Sequence, residues 1–126
     1  MLQNNISTKK QTLKNFDDSM KLLLTESVKF FPVSSINRIR RKYKALNILR
    51  KDGSLTYFMN ELMPFQESVF NKDEQTFLES KTIMVEDPKM VAAWKSLEVP
   101  TKEIMWKHLQ VLYCLGHQYL QQKNVA

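Results

Sequence analysis

At 126 residues, with 43% hydrophobic and 25% charged side chains, the chain is long enough for one domain whose core needs no covalent staples. Two glycines and four prolines are too few for the many turns of an all-β protein, and a single cysteine excludes an internal disulfide. Of 19 basic residues, seven (Arg38, Arg40, Arg41, Lys42, Lys44, Arg50 and Lys51) fall in one acid-free stretch; the other 12 face 13 acids, so all of the excess positive charge behind the net +6 sits on that stretch.

The first ten residues lack an apolar signal core, and Leu2 stands where N-myristoylation requires glycine. No apolar run approaches the roughly 20 residues of a membrane span. With one cysteine, Cys114, this leads to the expectation of an intracellular protein in a reducing compartment, without a membrane span. Asn5-Ile6-Ser7 matches a glycosylation acceptor by chance.

In chain order, residues 1–11 are polar and aperiodic, which predicts a flexible tail ahead of a helical domain over 12–121. From Leu13, apolar residues recur at Phe16, Met20, Leu23, Leu24, Val28 and Phe31, a helical spacing that Pro32 stops, with Leu22 facing away. Ser34 or Ser35 is placed to cap the next helix. Its inner stripe is Ile36, Ile39, Tyr43 and Leu46, with Leu49 to one side, and most of the basic residues lie outside it. Arg50 shares the stripe's direction but sits in the last turn, where it can reach water. Gly53 is expected as a left-handed C-cap.

A third helix over 54–63 buries Leu55, Phe58, Met59 and Leu62 before Pro64 interrupts it. Phe65, Val69 and Phe70 continue the apolar load. Asn71-Lys-Asp-Glu74 offers a cap for a short helix presenting Phe77 and Leu78. Thr82-Ile-Met-Val85 reads as an extended connector, since a lone strand has no partner. Asp87-Pro88 is an N-cap followed by a first-turn proline, opening a helix with Val91, Ala92 and Trp94 inward. Thr101 is the expected cap of a final helix reaching Gln121, with 122–126 frayed. On a helical wheel its apolar residues spread over about 220°, from Val111 and Ile104 round to Trp106. A surface helix needs a stripe only somewhat wider than about 100°, so other helices should wrap this one. The expected fold is all-α, a single bundle of about six helices around a buried C-terminal helix.

Candidate chemistry is sparse. His108 falls inside the apolar arc, where a histidine bonded to a carbonyl or a tyrosine hydroxyl is the expected role. Cys114 and His117 are neighbours at i and i+3, too few ligands for a zinc site. The adjacent carboxylates Asp73-Glu74 and Glu86-Asp87 sit near helix starts, where acids suit the helix dipole. Gly116 lies in the apolar arc, implying close approach of a helix or ring. No phosphate loop, nucleophile elbow or metalloprotease motif is present, so no catalytic residue, cofactor or metal is expected.

Three segments together resemble a known group. They are Val28-Lys-Phe-Phe-Pro32, Phe70-Asn-Lys-Asp-Glu-Gln-Thr-Phe-Leu78, and Trp94-Lys-Ser-Leu97 with Ile104-Met-Trp-Lys-His-Leu-Gln-Val-Leu-Tyr113. In that order and spacing they are similar to short helical proteins of nucleocytoplasmic large DNA viruses of algae and protists. The resemblance implies a viral origin and a setting in the infected cell, in cytoplasm or nucleus, or in the virion, and it carries no mechanism. The resulting expectation is a non-enzymatic, protein-binding protein whose basic helix meets an acidic viral or host partner. The alternative is a nucleic-acid-associated protein with Arg38, Arg40, Arg41, Lys42 and Lys44 on phosphates. Self-association into a homo-oligomer is compatible with either.

Overall fold

The computed structural model describes residues 2–82 and 84–125. Helix α1 (Leu2–Ser27) carries Phe16, Met20, Leu23 and Leu24 on one buried face, the i, i+4, i+7 spacing of an amphipathic helix, while Leu22 is 52% exposed. The segment expected as a tail is helical from Leu2 onward. Once later turns are fixed by packing, each added residue completes one hydrogen bond at little further cost. Ser27 ends the helix. Its buried hydroxyl donates to the Leu23 carbonyl at 2.6 Å, and a turn delivers Phe31 into the core ahead of Pro32.

Helix α2 (Val33–Leu49) begins directly after Pro32 without a side-chain cap. Ser34 and Ser35 therefore do not cap it; Ser35 is buried and donates instead to Asp87 at 2.7 Å. Ile36, Ile39 and Tyr43 face the core, Leu46 is half-buried, and Ile48 and Leu49 project into solvent at 76% and 80% exposure.

Gly53 opens helix α3 (Gly53–Leu62) with an ordinary negative φ, so it is not the left-handed cap expected. Its role is close approach: a Cβ there would stand 2.1 Å from the Leu46 carbonyl oxygen. The left-handed positions are Lys72 and Lys81, each one residue past the C-cap of a short helix. Leu55, Phe58, Met59 and Leu62 are buried as the spacing predicts. Pro64 turns the chain through one 3-10 turn into α4 (Gln66–Phe70), so α3 and α4 form one bent unit.

Helix α5 (Glu74–Glu79) is capped by Asp73, which accepts from the Thr76 N–H and hydroxyl, and it buries Phe77 and Leu78. The connector after it is a turn rather than extended chain. The Val85 N–H bonds back to Thr82, and Met84 and Val85 are buried; Ile83 lies outside the described residues. Asp87 caps α6 (Pro88–Ser96), with Pro88 in the first turn. Met90 and Trp94 form its buried edge, whereas Val91 is half-buried and Ala92 exposed, because residues four apart share a face and the turn is set by Trp94.

Helix α7 (Val99–Val125) starts two residues before the expected cap. Pro100 is accommodated because a first-turn residue needs no N–H bond, and Thr101 sits inside the helix. Its far end does not stop at Gln121: Lys123 donates to Asp52 at 3.1 Å and ties the last turn to the start of α3.

Helix α1 lies along α7 in the most extensive contact of the fold, with α3 and α4 on another side of α7 and α2 against α3. The all-α bundle around the last helix is thus present, and no strand occurs among the described residues. The wrapping is incomplete: Ile104 and Val111, at one limit of the apolar arc, are 56% and 43% exposed beside Leu22. Trp106, at the other limit, is buried against Trp94 and Phe77, and Phe31 extends this aromatic cluster. Gly116 faces Met59, whose sulfur would stand 2.4 Å from an added Cβ.

Candidate functional site

Three side chains turned inward decide where the charges of α2 go. Ile36, Ile39 and Tyr43 anchor the helix, so the cations of 38–44 are left on its two edges and its back. The structure distributes the seven predicted residues among three situations.

Arg38 is held on the α6 side. Its guanidinium donates to Asp87 at 2.7 Å, where the Ser35 hydroxyl and the Lys89 N–H also donate. The Ser35 bond, then the Lys89 and Arg38 bonds, hold the Asp87 carboxyl down to about 2. Arg50 is likewise paired, with Asp52 at 3.2 Å. Lys42 points to α3. Its ammonium donates to the Tyr57 hydroxyl at 2.6 Å and lies 4.4 Å from the ring centroid, and that hydrogen bond raises its pKa.

Arg41, Lys44 and Lys51 are exposed, as is Arg40, whose guanidinium donates to the nearby Asn37 side chain at 3.2 Å. Arg41 lines an open, polar hollow with Ser34, Glu86 and Lys89. Arg40 and Lys44 stand on the opposite edge, over a cleft of about 450 Å³ between α1 and α2. The floor is apolar, with Met20 and Leu24 from α1 and Tyr43 from α2, and the exposed Ile48 stands at the rim. Lys21 of α1 faces the two α2 cations from the other bank. The α3 end is polar, where the Asn47 side chain accepts from the Ser54 N–H at 2.9 Å and Ser54 lies 3.4 Å from Asp17. Burial, more than any neighbour, pushes the Asp17 carboxyl up from its ordinary value.

Neither Lys21 nor the cleft floor is marked by the charge pattern of the sequence. The available signal was Ile48-Leu49, two adjacent apolar residues outside the inner stripe at the end of a strongly basic helix.

The chemistry-bearing residues of α7 do not converge. His108 is half-buried beside Leu22, Ile104 and Val111 at the α1 edge rather than bonded in the core. The apolar arc on which it lies is open there, so the imidazole reaches the surface. Cys114 is exposed, and His117 stacks on Tyr113 with centroids 6.4 Å apart. Among the described residues no group of three or more His, Cys, Asp or Glu could hold a metal ion. Nor is any helix among them long and apolar enough to cross a membrane.

Fold and surface together define an all-α bundle bearing one helix edge on which exposed cations border an apolar cleft. Comparison with protein-family models, curated proteins and solved structures gave no match to this chain.

Proposed function

We propose that the chain is a non-enzymatic binding protein of a large DNA virus, acting through protein contacts, with α2 as the surface for an acidic partner. The observation that supports this most is the pairing of the exposed Arg40 and Lys44 with an apolar cleft. Protein interfaces combine an apolar centre with a polar rim, whereas phosphate backbones ask only for cations and donors.

A nucleic-acid role is the second reading, favoured by Arg41 and Lys51, which stay exposed away from the cleft. Arg38 and Lys42 weigh less in it than expected, because Asp87 and Tyr57 already engage them.

The two readings separate in one titration series. A fluorescent glutamate-rich polypeptide and a duplex DNA are titrated with the protein at low and at physiological salt. The protein-contact reading expects the acidic polypeptide to bind, and binding to be lost in the triple variant Arg40→Glu, Arg41→Glu, Lys44→Glu. DNA binding that falls steeply with salt, with no polypeptide binding, supports the second reading instead.

A further inference from the structure

The α1/α2 cleft narrows the kind of partner, provided that α2 serves protein contacts as proposed above. Arg40 and Lys44 are separated by four residues on one helix, a rise of about 6 Å. Acids one helical turn apart on a partner helix have the same repeat, so such a helix lying beside α2 would meet both cations in register. Lys21 covers the opposite bank, so positive charge is offered from two sides of the cleft. Between the banks the buried Met20, Leu24 and Tyr43 form an apolar floor, and Ile48, at 76% exposure, presents an apolar side chain to solvent at the rim.

We propose that this cleft receives an amphipathic acidic helix of a protein partner, its apolar stripe on Met20, Leu24, Tyr43 and Ile48 and its acids toward Lys21, Arg40 and Lys44. Helix-in-groove recognition uses this division of labour: apolar side chains at helical spacing provide the anchor and flanking charges fix register. The occupant is a peptide helix rather than an acyl chain because three cations on two banks call for several acids, not one carboxylate. Asp17 closes the α3 end. An acid there would be repelled, while the N-terminal N–H groups of a helix would be welcome, so the partner helix begins at Asp17. Arg41 faces the other edge of α2 and takes no part.

The probe is a fluorescent peptide of about four helical turns, with leucines on one face and glutamates flanking them. A second peptide has the same composition scrambled so that no face is apolar. Anisotropy titrations at physiological salt should show the amphipathic peptide binding at least about tenfold more tightly than its scrambled isomer. Ile48→Glu and, independently, Lys21→Glu should each remove that preference, and Arg41→Glu should leave it unchanged. Far-UV circular dichroism checks each variant's fold, and Lys21→Glu provides the measurement if Ile48→Glu does not fold. Equal binding of both peptides, lost in Arg40→Glu/Lys44→Glu, overturns the cleft proposal while keeping α2 as an acid-binding surface. A preference that survives Ile48→Glu and Lys21→Glu overturns it too. If neither peptide binds, nor the glutamate-rich polypeptide, the protein-contact reading of α2 fails as well.

Discussion

Gly53 and Gly116 show how one residue type answers two packing problems. At Gly53 the obstacle to a side chain is backbone, the Leu46 carbonyl oxygen 2.1 Å and its carbon 2.6 Å from an added Cβ. Backbone of a packed helix cannot step aside cheaply. Gly53→Ala should therefore lower stability by about 2 kcal/mol, although alanine is intrinsically the better helix former by about 1 kcal/mol. At Gly116 the neighbour is the side chain of Met59, which can change rotamer, so alanine should be tolerated better there than at Gly53. Leucine should not be: Met59 is fully buried, and overpacking should cost about 1–3 kcal/mol. Urea denaturation of the three variants ranks them, and a Gly53→Ala protein as stable as wild type would refute the close-approach account. The Gly116 contact was legible in the sequence because glycine in an apolar arc has few other uses. The Gly53 contact was not, since a glycine after a helix reads equally as a cap.

At the scale of elements, two acids fasten helices that sequence distance keeps apart. Asp52, buried at the corner between α2 and α3, accepts from the Tyr119 hydroxyl at 2.9 Å and from Lys123 at 3.1 Å. Burial works to raise its carboxyl, and the bonds from Lys123 and Tyr119, with the charges of Lys123 and Arg50, outweigh it and bring it below the ordinary value. Burial, then the bond to Asp52, pushes the Tyr119 phenol up to about 12. Lys123 and Arg50 are substantially exposed, so their ion pairs contribute little; the buried hydroxyl–carboxylate bond matters more. Asp52→Ala should cost about 2 kcal/mol, chiefly by leaving the Tyr119 hydroxyl without an acceptor, read as a lower urea midpoint with an unchanged slope.

Asp87 joins α6 to α2 through Ser35 and Arg38. Its folded pKa of about 2 lies below the usual 3.8, so the unfolded chain binds the proton first as pH falls. Its contribution to stability is thus complete above about 4 and is lost as pH drops toward about 2. Asp87→Asn keeps a competent N-cap but removes this titration. Its melting temperature should fall less steeply than that of wild type over the same acid range. Of the two acids, the sequence marked Asp87 only as a cap, and Asp52 only as the neighbour of Gly53. Their long-range partners lie 49 to 71 residues away, and no local pattern encodes such a distance.

For the whole molecule, the core is one cluster running from Phe16 on α1 to Tyr119 on α7. Both tryptophans lie in its aromatic region with Phe31 and Phe77, while helical content is spread over the entire chain. Unfolding followed by tryptophan fluorescence and by far-UV circular dichroism should therefore give coincident transitions. Separated midpoints would mean that the aromatic region opens as a unit of its own. The surface is less uniform than the core. The positive segment that looked like one basic helix is divided by the fold into engaged cations, a polar hollow and a cleft edge.

The helices and most of their inward faces could be read from the chain alone, because apolar spacing of 3.6 residues and the proline breaks are local properties. So could the site of the excess positive charge, between Asn37 and Lys51. Which of those charges meet a partner emerged largely from the packing of helices. It brought Asp87 to Arg38 and Tyr57 to Lys42, and set Lys21 across from Arg40 and Lys44. A charge's availability depends on what lies within a few ångströms of it, and here most of those neighbours come from other helices.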